Sequence, residues 1–75
     1  MTSWTEAEYE VLFRDHPPTQ PTAPSKPECE ELGRQLNRSF GAIRSQWDDG
    51  RSLVLGHTTD AAQPLRDYLV RRGWL

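Results

Sequence analysis

Cys29, His16 and His57 are the side chains most able to act as nucleophile, base or metal ligand in this chain, and they stand apart from one another. A single cysteine cannot build an intrachain disulfide framework or a cysteine-based zinc site. The two histidines have no companion ligands at a metal-binding spacing. There is no glycine-rich phosphate loop and no nucleophile motif. The chain is therefore not expected to be an enzyme, and no cofactor is implied. Cys29 reads as a small buried hydrophobe. What remains is the chemistry of charge and hydrogen bonding. Arginine outnumbers lysine eight to one, with Lys26 alone. A guanidinium can donate two parallel hydrogen bonds to the edge of a guanine. Arg44 and Asp48 stand four apart, the spacing of an ion pair on a helix surface.

The net charge of −2 is unevenly spread. Residues 1–25 set Arg14 against Glu6, Glu8, Glu10 and Asp15, for −3. Residues 26–51 balance to zero, and residues 52–75 carry +1. A protein living on non-specific DNA contacts is usually more basic than this. No apolar run is long enough to cross a membrane, so no membrane partner is implied. The polar, acidic start Met1-Thr2-Ser3-Trp4-Thr5-Glu6 does not read as a signal peptide. The expected location is the cytoplasm.

These side chains need elements to hold them. A chain of 75 residues makes one domain, 1–75, and buries only about 60% of its unfolded surface. Large aromatics such as Trp4, Tyr9, Phe13, Phe40, Trp47, Tyr68 and Trp74 are an efficient filling for so small a core. Residues 5–15 read as a helix capped by Ser3 or Thr5, with Glu6 and Glu8 in the first turn and an apolar stripe of Ala7, Val11, Leu12 and Phe13. Pro17 and Pro18 end it. Residues 17–27, PPTQPTAPSKP, form a proline-rich connector, although the PxxP spacings Pro18–Pro21 and Pro21–Pro24 also fit a polyproline ligand.

A second helix spans 27–36, capped by Ser25, with Pro27 near its start and Cys29, Leu32, Gly33 and Leu36 on one face. Gly33 in mid-helix costs about 1 kcal/mol relative to alanine, which a close approach by another helix would justify. Asn37 suits a left-handed helix end. Ser39 then caps a third helix, 40–49, that buries Phe40, Ile43 and Trp47 and stops at Gly50. Residues 51–59 read as a short strand or extended arm, and a hairpin wing is a further option. A fourth helix, 60–72, is capped by Thr59 or Asp60 and carries Pro64 in its first turn. Leu65, Tyr68 and Leu69 form its stripe, Arg71 and Arg72 suit its C-terminal end, and Gly73 ends it.

Two short helices joined by the turn Asn37-Arg38-Ser39 suggest a helix-turn-helix in an all-α fold. The stretch from Leu32 to Trp47, LGRQLNRSFGAIRSQW, resembles the second and third helices of the Myb/SANT-like (homeodomain-like) family. Trp4-Thr5-Glu6-Ala7-Glu8 followed by Val11-Leu12 resembles the start of its first helix. The likeness covers residues 3–51 and is sharpest at Arg38-Ser39-x-Gly41-Ala42-Ile43-Arg44-Ser45 between flanking tryptophans. Trp4 and Trp47 match the first and third of the family's core tryptophans, and Cys29 falls at the second. The resemblance implies a three-helix bundle, to which helix 60–72, outside the resemblance, adds a C-terminal helix.

In DNA-binding members the third helix enters the major groove. Carried over by position, Arg44 and Ser45 fall where base-contacting residues sit, with Ser39 and Gly41 ahead of them. Arg38, Arg51 and also Arg34 fall where phosphate is contacted. Asp48 departs from the pattern, because DNA-binding members carry Asn or a basic residue there. A carboxylate is repelled by phosphate and can only accept from a cytosine amine. The implied function is a regulatory DNA-binding module for double-stranded DNA, its surface made of Arg38, Ser39, Gly41, Arg44, Ser45, Asp48 and Arg51. The alternative is a SANT-type protein-interaction adaptor that does not bind DNA. On either reading, residues 52–75 are candidates for contacts to a protein partner or to a second copy.

Overall fold

The computed structural model describes residues 3–58 and 61–75 and contains four helices in the order α1 (Glu6–Asp15), α2 (Lys26–Leu36), α3 (Phe40–Leu55) and α4 (Gln63–Arg71). No strand occurs among the described residues, so the fold is all-α. No helix there is long and apolar enough to cross a membrane.

The first two helices start where their caps dictate. In α1 the Thr5 side chain accepts from Glu8 N–H at 3.2 Å, and Thr5 N–H donates to Glu8 Oε1 at 3.0 Å. In α2 the Ser25 hydroxyl accepts from Glu28 N–H at 3.3 Å, and Ser25 N–H donates to Glu28 Oε1 at 2.8 Å. Both are capping boxes, in which orphan N–H groups are satisfied reciprocally. The Ser25 backbone N–H, and then its hydroxyl, also hold the Glu28 carboxyl below its ordinary range. Asn37 ends α2 in the left-handed region, with φ 55°, as the sequence predicts. On α1 the buried residues are Tyr9, Leu12 and Phe13, whereas Ala7 is exposed and Val11 half-buried. The inward face is therefore rotated from the predicted stripe, and the reason is the aromatic ladder it joins. Trp4 stacks on Tyr9 at 5.3 Å between ring centroids, and Tyr9 and Phe13 each meet Tyr68 of α4, at 5.8 and 5.9 Å.

The third helix corrects the sequence reading most. Gly50 does not stop it; the helix runs on to Leu55 and ends at Gly56, whose φ is 76°. Residues 51–55 are therefore helix, not an arm or a wing. Ile43, Trp47, Gly50 and Leu53 form one continuous buried stripe at helical spacing. Gly50 belongs to it because α1 passes close by. A Cβ at position 50 would stand 2.8 Å from Phe13 Cζ.

Gly33 works differently from the helix crossing anticipated for it. A Cβ there would meet the backbone carbonyl oxygen of Arg38 at 2.5 Å. The glycine admits the turn itself, and so fixes how α3 leaves α2. Gly33→Ala gains about 1 kcal/mol of helix propensity but forces a displacement of backbone, for which overpacking costs of about 1–3 kcal/mol are typical. A lower Tm is expected, read by circular dichroism. A Tm equal to or above the parent's would show that the turn yields without penalty.

The proline-rich segment is a packed connector. Pro18 and Pro24 are fully buried and Pro21 alone of the three is exposed, so neither PxxP spacing presents both of its prolines to a partner. Cys29 is buried too, its Sγ 3.6 Å from the Pro24 carbonyl oxygen, and burial pushes its thiol pKa up.

Residues 52–75 complete the core. Leu53, Leu65, Tyr68 and Leu69 are buried with Tyr9, Leu12 and Phe13 in one cluster. The Cα radius of gyration, 11.3 Å, matches the roughly 11 Å of a compact chain this long. The apolar stripe of α4, Leu65, Tyr68 and Leu69, is thus turned inward. Its predicted caps, Thr59 and Asp60, lie outside the described residues. The N-cap of α4 is Ala62, with no side-chain cap bond, and Pro64 sits in the first turn as predicted. Arg71 and Arg72 do more than face the helix C-terminus. Arg71 pairs with Glu6 of α1, and Arg72 reaches Glu10 at 3.5 Å and lies 4.8 Å over the Trp74 ring. Tyr68 donates to Glu10 Oε2 at 2.8 Å. Burial, and then this carboxylate, raise the phenol's pKa.

Candidate nucleic-acid interface

The residues predicted to contact nucleic acid separate into two groups. Gly41, Arg44, Ser45 and Asp48 share one exposed stripe of α3. The opposite side of α3, through Ile43, Trp47 and Leu53, faces the core. Ser39 caps the helix, accepting from Ala42 N–H at 3.1 Å. Gly41 has open space where a side chain would stand. Nothing inside the fold requires a glycine there.

Arg38 and Arg51 do not join that stripe. Arg38 is turned toward α1, donating from Nε to Glu8 Oε2 at 2.8 Å and from Nη2 to Glu8 Oε1 at 2.9 Å. It also donates to the Ser3 carbonyl at 3.2 Å, and its guanidinium lies 4.8 Å over the Trp4 ring. The side chains of Arg38 and Glu8 are only 15% and 18% exposed. Arg51 donates to the Pro18 carbonyl at 2.9 Å. The sequence reading placed both on phosphate. The structure gives both an internal task, because Glu8 and Pro18, distant in the chain, fold against them. With Arg38 on Glu8, that carboxyl is held below its ordinary range by the guanidinium beside it.

Arg44 has only local contacts among the described residues, with Asp48 and, 6.0 Å from its guanidinium carbon, the Trp47 ring. Its Nε donates to Asp48 Oδ1 at 3.1 Å, and the two side chains are 45% and 52% exposed. A pair this exposed contributes only about 0.2–1 kcal/mol to stability.

Two shallow depressions flank the N-terminal end of α3. One, about 500 Å³, lies between α2 and the helix start, lined by Glu30, Gly33, Arg34, Asn37, Arg38, Ser39 and Phe40. The other, about 460 Å³, includes Trp4, Arg38, Ala42, Ser45 and Gln46. Phe40 was assigned to the core by its helical spacing, but it is 44% exposed on the rim of the first. It is the surface residue the sequence reading missed. Its position just after the cap Ser39 was the available signal, since the first helical residue precedes the buried stripe. Arg34, predicted as an auxiliary phosphate contact, is exposed beside Phe40 and pairs with Glu31.

Tyr9, beneath this region, donates to Gln46 Oε1 at 3.0 Å, and burial pushes its phenol pKa up to about 12. Trp47 donates from Nε1 to the His16 carbonyl at 2.8 Å. Both bonds tie the inner side of α3 to α1 and leave the outer stripe clear. No cluster of three His, Cys, Asp or Glu side chains suited to a metal occurs among the described residues. No protein-family model, curated protein or solved structure matches this chain.

Proposed function

We propose that the chain is a small helix-turn-helix module that docks the exposed stripe of α3 into the major groove of duplex DNA. The observation that carries this reading is the stripe itself. Gly41, Arg44, Ser45 and Asp48 project from a helix anchored on its other side by Trp47 and Tyr9. Gly41 has no role within the fold, and a missing side chain at that point lets a second surface approach the helix closely. Arg44 and Ser45 supply donors and an acceptor for base edges, and exposed Phe40 offers an apolar face of the kind that contacts thymine methyl groups. Arg34 beside it is the nearest phosphate contact.

Because Arg38 and Arg51 are engaged internally, phosphate contacts are few. If about two are made, affinity falls only about tenfold between about 50 and about 200 mM salt. One such module also buries too little surface for tight binding alone, so it acts in an array or beside a partner.

The second reading, a protein-interaction adaptor, has one observation in its favour. With Arg38 turned onto Glu8 and Arg51 onto Pro18, Lys26, Arg34 and Arg44 face exposed Glu28, Glu30, Glu31 and Asp48. That mixture is poorly suited to a polyanion.

An NMR titration of labelled protein with mixed-sequence duplex DNA separates the two. The DNA reading expects salt-sensitive shifts confined to residues 39–48 and the Arg34 side of α2, lost in Arg44→Ala without unfolding. A well-dispersed spectrum that does not move even at low salt would remove DNA and promote the adaptor.

A further inference from the structure

The Arg44–Asp48 pair carries more than surface stability. An arginine on an exposed helix face samples many rotamers, and ordering it has an entropic cost. Here Asp48 takes the Nε donor at 3.1 Å and the guanidinium carbon lies 6.0 Å over the Trp47 ring, two contacts that together restrain the side chain. No hydrogen bond from either Nη group to another described residue accompanies it. The two Nη groups are thus left to donate to a ligand. Guanine offers two acceptors, N7 and O6, on its major-groove edge, whereas adenine offers an acceptor beside a donor. An unengaged Nη fork matches the first pattern and meets the second donor-to-donor. The pair is also close to neutral as a unit, so it adds little attraction to phosphate at large.

Resting on the DNA reading, we infer that Asp48 is a positioning residue: it holds the Arg44 guanidinium so that the module selects duplex sites presenting a guanine to α3. The carboxylate that looks like an obstacle to DNA then becomes the source of discrimination. It lowers affinity for DNA in general and raises the ratio between right and wrong sites.

The test is selection from a randomised duplex pool, followed by sequencing, on the parent chain, Asp48→Asn and Asp48→Glu, each first checked by thermal melting for an intact fold. The parent is expected to enrich guanine at one fixed position by about fivefold or more, the worth of a good bidentate contact. Asp48→Asn should bind the unselected pool as well as the parent or better, having lost a negative charge, while its guanine preference collapses. Asp48→Glu should restore part of that preference, because the carboxylate still reaches the guanidinium from one turn away. An unchanged guanine preference in Asp48→Asn would overturn the positioning role and leave DNA binding standing. Binding to the pool with no base enriched by the parent would overturn it equally. Absence of pool binding at low salt by folded parent protein would sink the DNA reading itself, and the inference with it.

Discussion

A chain ended after His57 is expected to lose its cooperative fold. The resemblance to a tri-helical family covers residues 3–51, which treats α4 as an addition. The packing says otherwise. Leu65, Tyr68 and Leu69 are 0%, 2% and 0% exposed, as buried as anything on α1. Fully burying a large apolar side chain stabilises by about 1.5–3 kcal/mol, so these three contribute on the order of 5–9 kcal/mol. A domain of this length has a total stability of about 4–11 kcal/mol. Removing α4 also uncovers the Tyr9 and Phe13 faces that Tyr68 closes and cuts the Glu6–Arg71 and Glu10–Tyr68 ties. The truncated chain should show collapsed amide dispersion and no sigmoidal melt. A dispersed spectrum with a cooperative transition would establish residues 3–57 as the folding unit, with α4 an attachment free to serve another purpose.

The contrast between what the sequence disclosed and what it hid follows sequence distance. The starts of α1 and α2 were legible because Thr5–Glu8 and Ser25–Glu28 are three residues apart, and the left-handed end at Asn37 is equally local. The Arg44–Asp48 pair was legible for the same reason. The course of α3 through Gly50 was not. A glycine there carries a local stop signal, and what overrides it is the Phe13 ring in the space a side chain would need. The internal tasks of Arg38 and Arg51 were hidden likewise, their partners being Glu8 and the Pro18 carbonyl. Of the candidate interface, the α3 stripe came from the resemblance, carried over position by position. Which arginines remain to face a ligand could be read only from the folded chain.

Arg38 therefore supports a prediction that separates a structural arginine from a ligand-binding one. Glu8→Gln keeps the capping box, since glutamine also serves at that position, but removes the charge that both Nε and Nη2 of Arg38 engage. A mostly buried guanidinium left without its carboxylate is strongly destabilising, and Tm should fall by about 5–10 °C. The pH dependence has a fixed sign. Arg38 holds the Glu8 carboxyl below its ordinary range in the folded state, so the pair's contribution is present above the unfolded carboxyl value of about 4.3. It is lost as pH falls through the lower folded value. Acid should thus destabilise the parent more steeply than Glu8→Gln. Part of the slope will remain, because Glu28 and Glu31 are also held low. Equal acid slopes in the two proteins would mean that the pair contributes nothing to stability. In the DNA titration Arg38→Ala, measured below its own Tm, should keep the parent's salt dependence, because no phosphate contact has been removed. A salt slope smaller by about one unit would put Arg38 on a phosphate after all, and would require the Glu8 pair to open when the helix docks.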